Sequence, residues 1–323
     1  MRSFDLGRIK VTPAASAALA KAGVDPSTYL ARHRAGDWGD VEDWMAAHNA
    51  WGVERPAILR SRYALPDGPY LAVATARDRS YTQVMLEREF DRREVSVQEG
   101  YACWAETYDL ELNPLIAVEE PHVVAHLDVL LEASERTTAL DVCAGTGRLA
   151  LKLARRGVAV TAFDASAEML ALAEAKARQE GLPIAFHRGA LEDGLPFAQA
   201  AFDLVTCALA LCHVPGLDRV VHDFYRVLRT GGYLLISDFH PDAVAELGWR
   251  TVKSRPEGRY LLPNLPYTRA DYLDAVRAAG LILVDVQDLP VRDVPRAYVA
   301  FYDRMVEECG DTNFCLIVLA QKP

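Results

Sequence analysis

This chain of 323 residues lacks a basic excess: 35 Lys and Arg stand against 45 Asp and Glu, for a net charge of −10. With an isoelectric point near 5.3, that balance argues against a nucleic-acid polyanion as a required partner. Apolar runs of membrane-spanning length are also missing, and the first residues, Met1-Arg2-Ser3-Phe4-Asp5, hold no apolar signal core. A soluble, cytoplasmic protein with no membrane partner is therefore expected. The six cysteines, at 103, 143, 207, 212, 309 and 315, form no Cys-x-x-Cys pair and mostly lie in apolar runs. Their pattern predicts buried free thiols in a reducing compartment. His122 and His126 share a helix face at i, i+4 spacing, but no acid or third histidine stands out to complete a set. No metal is expected.

What the chain does have is apolar residues, 51% of the total, ample for a large core in a length that exceeds one average domain. The most informative stretch is Leu140-Asp141-Val142-Cys143-Ala144-Gly145-Thr146-Gly147. An aliphatic run ends at an acid, a loop of small residues follows, and Leu149, Leu151, Leu153 and Ala154 make an amphipathic segment. That order reads as strand, tight turn and helix, with glycines that let a ligand approach the main chain. A second strand, Val158 to Phe163, ends at Asp164, where a carboxylate can accept hydrogen bonds from the ribose hydroxyls of an adenosine-containing cofactor. Ser166 caps the next helix, Ala167 to Gln179, which stops before Gly181 and Pro183. Up to this point a nicotinamide dinucleotide and other adenosyl cofactors fit equally, because Gly145-Thr146-Gly147-Arg148-Leu149-Ala150 also satisfies the dinucleotide pattern.

The downstream residues separate these readings. Gly189 to Phe197 leads into the apolar strand Phe202 to Cys207, then Ala208 to His213, then Tyr225 to Asp238 through Gly231-Gly232. This ordered set resembles the class I S-adenosylmethionine-dependent methyltransferases of the small-molecule type, over roughly residues 95 to 323. The resemblance implies an α/β fold: a Rossmann-like seven-stranded sheet with helices on both faces. It also implies transfer of a methyl group from S-adenosylmethionine, leaving S-adenosylhomocysteine, to an O, N or C atom of a small-molecule acceptor, in secondary or specialised metabolism. On this resemblance Asp141, Ala144, Gly145 and Gly147 surround the methionine part of the cofactor, and Asp164 takes the ribose. Ala165 and Met169 border the adenine, Ala190 and Leu191 meet its edge, and Cys207 and Ala208 lie under the sulfonium. Two positions depart from the family: glycine is usual where Cys143 stands, and an acid where Ala190 stands. The alternatives are a non-catalytic protein that keeps the fold as a scaffold, and an NAD-dependent oxidoreductase.

Two segments are expected to roof the cleft. Tyr101, Trp104 and Tyr108 recur at helical spacing within a helical lid over residues 93–135; relatives use such a helix to contact the cofactor, which places Tyr101 and Tyr108 at the cofactor and Trp104 at the acceptor. An irregular insertion over 239–268 is expected to shape the acceptor pocket through Trp249, Tyr260 and Tyr267. His213, after the fourth strand, and His240 and Asp238, at the tip of the fifth, are the candidates for a general base or acceptor orienter. Asn264-Leu265-Pro266-Tyr267 resembles the Asn-Pro-Pro-Tyr box of enzymes that methylate amino groups on adenine or glutamine. It falls after the wrong strand for that role, and with the acidic charge it leaves nucleic-acid methylation disfavoured. A final strand is expected over Phe314 to Ala320.

Residues 1–92 read as a separate small α+β domain. Thr12-Pro13 starts a helix that ends at Gly23, and Asp25-Pro26 starts another reaching Arg34. Ala57 to Ala64, Tyr70 to Thr75 and Tyr81 to Leu86 then read as an antiparallel meander with a turn at Pro66-Asp67-Gly68. Gly36-Asp37-Trp38-Gly39-Asp40, Leu65-Pro66-Asp67-Gly68 and Asp78-Arg79-Ser80 resemble a small bacterial domain of unassigned function. It is expected to pack or to form a homodimer, or else to close over the active site.

Overall fold

A computed structural model describes residues 3–66, 68–132 and 137–323. Asp67 of the expected turn, Met1 and Arg2 of the N-terminal unit, and the last residues of the expected 93–135 lid lie outside the described residues. The chain opens with β1 (Arg8–Val11), α1 (Pro13–Ala22), α2 (Pro26–Arg34), α3 (Asp43–Gly52), β2 (Leu59–Ala64), β3 (Tyr70–Thr75) and β4 (Tyr81–Leu86). The expected starts and stops hold: the Thr12 hydroxyl accepts from Ala15 N, and Gly23 ends α1 in the left-handed conformation. β2, β3 and β4 form the antiparallel meander, and β1, with Lys10 facing Gln83 in register, adds to β4 in parallel. β1 alternates but spans only four residues, and α3 carries no clear apolar stripe, so neither stands out in the sequence. Leu19, Tyr29, Tyr63, Leu71, Val73, Val84 and Leu86 form the core of this unit.

The large sheet takes β6 (Thr138–Val142), β7 (Ala159–Asp164), β8 (Ile184–Arg188), β9 (Phe202–Ala208), β10 (Leu228–Phe239), β13 (Ile282–Pro290) and β14 (Asn313–Gln321), in the order β13-β14-β10-β9-β6-β7-β8. Neighbours from β10 to β8 are parallel, whereas β14 runs antiparallel to both β10 and β13. The last strand is thus the last in sequence but sits inside the sheet. β6 and β9 are buried over almost their whole length, which explains why they read as apolar runs rather than as alternations. α8 (Leu217–Val227) and α10 (Arg269–Ala278) cover one face. α5 (Pro114–Glu132), α6 (Arg148–Arg155) and α9 (Pro241–Leu247) cover the other, and α7 (Ala167–Glu180) packs on α6 and β8. Strand order reverses at β6, between β7 and β9, and a ligand crevice opens where order reverses in such sheets.

The structure differs from the sequence reading between residues 86 and 268. β5 (Asp91–Glu94) straddles the expected boundary at residue 92 and is followed by α4 (Val97–Tyr108). The expected irregular insertion instead holds α9 and a hairpin of β11 (Val252–Arg255) and β12 (Gly258–Leu261), and β12 pairs with β5 in parallel. Two short segments 167 residues apart satisfy each other's backbone groups. Such pairing leaves no local signal in sequence.

Candidate active site

At the carboxyl ends of β6, β7 and β9 lies a partly open cleft, roofed by α4. Its floor follows from the strand–loop–helix at β6. Cys143 and Gly145 adopt positive φ, +55° in both, so the chain turns away from the sheet directly after Val142. A Cβ on Gly145 would meet nothing within 4 Å, so its main chain faces open space at the cleft. Gly147 serves packing instead: at φ +82° it caps α6, and a Cβ there would come within 3.0 Å of Ala173 in α7. The left-handed turn at Cys143 accounts for the family's usual glycine; a second non-glycine residue in this conformation, Leu209 at +56°, ends β9 at the cleft. Sparsely populated backbone of this kind clusters where a fold shapes a site.

The acids of the site have separate tasks. Asp164 accepts from Gly145 N and Ser166 N, both at 2.8 Å, and so ties the glycine loop to the tip of β7. Burial raises its carboxyl above the ordinary range, against the pull of those amides. It faces the cleft with lone pairs left over. Asp141 is a clamp: it accepts from Ala150 N at 3.0 Å and Thr206 Oγ1 at 2.7 Å, and burial pushes it up to about 6. Arg148 enters the wall held by the fully buried Glu119 at 2.7 Å, whose other oxygen accepts from Ser237 Oγ. Thr146 donates to Asp109 at 2.7 Å, joining the glycine loop to the end of α4.

Of the residues expected at the cofactor, Tyr101, Tyr108, Asp141, Ala144, Gly145, Asp164, Ala165, Met169, Leu191 and Ala208 line the cleft. Gly147, Ala190 and Cys207 do not: Gly147 is used for helix packing, Cys207 is fully buried within β9, and the cleft is met by Gly189 and Leu191 on either side of Ala190. Glu192, two residues beyond the position where the family's acid is missing, does line it. Val97, Gln98, Thr146, Ser166 and Ala210 also join the wall without having been expected. Their only signal was proximity to the motifs, since which loop residues turn inward depends on the neighbouring strand.

His213 is the one candidate base at the cleft. Its Nδ1 lies 2.6 Å from the Pro263 carbonyl, so Nδ1 carries the proton and Nε2 the lone pair. Burial lowers its pKa, partly offset by Pro263 and Asp238. Tyr101 meets the imidazole edge-on at 5.9 Å. Asp238 is not in the wall; wholly buried, it accepts from Cys212 N at 2.7 Å, Tyr272 Oη at 2.8 Å and Phe239 N at 2.8 Å. It thereby fixes the turn that carries His213. His240 is also buried away from the cleft, bonded to Asp288 at 3.0 Å while it caps α9 by accepting from Asp242 N.

The four expected acceptor contacts stand behind or beyond the wall. Trp104 is sandwiched between Tyr101 and Tyr108, at 5.7 and 5.2 Å. Tyr267 donates to the carbonyl of Val214, a wall residue, at 2.9 Å. Trp249 packs edge-on against Phe314 at 5.6 Å, and Tyr260 lies under the Arg93 guanidinium in the small sheet. The hairpin pairs with β5 rather than folding over the cleft, which carries Tyr260 away. Asn264 accepts from Thr251 N at 2.9 Å and lies outside the cleft, so it takes no position a methylated amino group would need. No group of potential metal ligands occurs among the described residues, and none of the described helices is long and apolar enough to cross a membrane.

Comparison with known proteins bears on this geometry. The family described as "Methyltransferase domain" matches residues 140–236, from β6 through most of β10. The chain is 33% identical over 170 residues to a ubiquinone biosynthesis O-methyltransferase of Sodalis glossinidius, covering 52% of this chain and 66% of that protein. It is 30% identical over 241 residues to a ubiquinone/menaquinone biosynthesis C-methyltransferase of Bartonella tribocorum, covering 67% of this chain and 87% of that protein. The chain spans 56 to 66% of the length of the first curated relatives it matches. A solved protein from Listeria monocytogenes, named for S-adenosylmethionine-dependent methyl transfer, shares the fold with a TM-score of 0.52 at 20% identity, over 65% of this chain and all of that one. The glycine loop, the acid at the tip of β7 and these relatives together place the chain in the family of S-adenosylmethionine-dependent methyltransferases.

Proposed function

We propose that the protein transfers a methyl group from S-adenosylmethionine to a hydroxyl or carbon nucleophile on a small cyclic acceptor, in specialised metabolism. The observation that carries this reading is Asp164, which faces the cleft from the tip of β7 while holding the open Gly145 loop. A carboxylate so placed accepts both ribose hydroxyls, and Gly145 leaves room for the methionine portion. Glu192, which lines the cleft two residues past Ala190, is the candidate for the acid that Ala190 lacks. The bound cofactor supplies an activated methyl on a sulfonium that departs as a neutral thioether. Alignment and exclusion of water are the protein's task, and Tyr101, Tyr108 and Met169 provide an apolar, aromatic wall for it. His213, its Nδ1 proton given to Pro263, takes the acceptor's proton at Nε2. The names of the quinone-pathway relatives favour an aromatic or enolic ring as acceptor.

Calorimetric titration with S-adenosylmethionine, S-adenosylhomocysteine and NAD tests the reading. Micromolar affinity (about −8 kcal/mol) for both adenosyl ligands, lost in Asp164→Ala, is the expected result. Silence towards them, with NAD bound, would overturn the cofactor assignment and favour a dinucleotide enzyme; no binding at all would favour a scaffold.

A further inference from the structure

Away from the cleft, three arginines gather outside the ion pairs that Asp91 and Glu94 make with Arg93 and Arg250. In the parallel pair of β5 and β12, Arg92 stands opposite Arg259. Phe90, two residues before Arg92, has the Arg60 guanidinium 4.7 Å and the Arg92 guanidinium 5.3 Å from its ring centre. Arg60 of β2 and Arg92 of β5 thus flank one phenyl ring, and Arg259 of β12 faces Arg92 across the strand pair. Arg92 is exposed, and Arg60 and Arg259 are half-buried.

None of the three has a carboxylate partner among the described residues. The nearby Glu257 accepts from Tyr81 Oη at 2.7 Å, and on the flank Arg77 and Lys253 share Glu111. The Arg60 guanidinium donates only to the Arg255 carbonyl, at 2.7 Å. Burial, and next the charges of Arg259 and Arg92, push its pKa down to about 9, against a smaller pull from the Glu257 carboxylate. Like charges set opposite in a sheet are destabilising, and half-buried guanidinium groups without a counter-charge add to that. A chain with ten more acids than bases had ample means to neutralise them. Convergent, unneutralised cations of this kind focus field on an anion.

We propose that Arg60, Arg92 and Arg259 form a binding site for a small phosphorylated molecule. Each guanidinium fork donates two parallel N–H groups. One fork satisfies a monocarboxylate, whereas three suit the several oxygens and multiple charge of a phosphoryl or diphosphoryl group. Both strands lead directly to the cleft. β5 continues into Val97 and Gln98 of its wall, and β12 into Pro263, whose carbonyl orients His213.

The test is calorimetry on the full chain at low ionic strength with inorganic pyrophosphate, citrate and a short single-stranded oligonucleotide. The variants are Arg92→Gln and Arg259→Gln, with Arg250→Gln as a nearby control. Saturable pyrophosphate binding is expected, weakened about tenfold or more in the first two variants and unchanged in the control. The unliganded Tm of those two variants should equal or exceed that of the parent, since each removes repulsion; a merely structural role would lower it. No saturable pyrophosphate binding, or equal binding in the two variants, overturns the proposal. So does citrate bound as tightly as pyrophosphate, or binding confined to the oligonucleotide.

Discussion

His213 enters the cleft with one ring nitrogen committed to Pro263 and the other free to take a proton. Because burial lowers its pKa below 6.5, the imidazole is neutral at physiological pH and its lone pair is available. Activity should fall only as pH drops through that lowered value, so the acid limb of the kcat profile is expected below 6.5. His213→Gln should remove this limb and cut kcat by roughly 10²–10⁴-fold while leaving S-adenosylhomocysteine affinity unchanged. A profile with the same acid limb in the variant would transfer the role to another group. The histidine's sequence position alone marked it, but so it did His240 and Asp238. What separates the three is burial and partner choice: His240 and Asp238 spend their polar atoms on the α9 cap, Asp288, Cys212 and Tyr272.

At the scale of elements, the N-terminal unit is stitched through a buried histidine. His33 on α2 bonds Ser61 of β2 at 2.5 Å and Thr75 of β3 at 2.9 Å, and Thr75 bonds Thr82 of β4 at 2.8 Å. Burial, with the Arg79 charge, lowers its pKa from 6.5 to about 3. The folded state therefore keeps it neutral while the unfolded chain protonates it. The stability is complete above pH 6.5 and is lost progressively as pH falls towards 3, up to a limit on the order of 5 kcal/mol. Trp38 packs edge-on to the same ring at 5.5 Å, so an acid titration followed by tryptophan fluorescence should show this unit loosening in that window. His33→Gln should flatten the slope; an unchanged slope would assign the acid sensitivity elsewhere.

For the whole molecule, one carboxylate touches the N-terminal unit, the end of the roof and the hairpin together. Glu111, after α4, pairs with Arg77 of the N-terminal unit at 2.9 Å and with the buried Lys253 of β11. Removing one partner of a buried pair is costly because the other charge stays behind. Glu111→Gln should lower unfolding stability by about 3 kcal/mol in urea melts, with Lys253 left uncompensated. Loss of under about 0.5 kcal/mol, the range of ordinary surface substitutions, would show that the three parts dock without it.

By itself the sequence determined the local and repetitive parts of this protein: the glycine loop, Asp164 at the end of β7, the helix caps at Thr12 and Ser166, the buried strands and the order of the methyltransferase motifs. Each of these is written within a few residues, because a turn, a cap or a buried strand constrains its own amino acids. Tertiary structure alone decided what distant segments do to one another. It paired β5 with β12, turned the expected irregular insertion into a hairpin that carries Tyr260 away from the cleft, and brought Glu192 to the cleft where Ala190 offers no acid. It chose His213 over His240 as the group that faces the cleft, set Arg60 and Arg92 against Phe90, and brought Arg259 opposite Arg92. Those outcomes depend on which backbone and side-chain groups meet across long separations, and no short window of sequence records that.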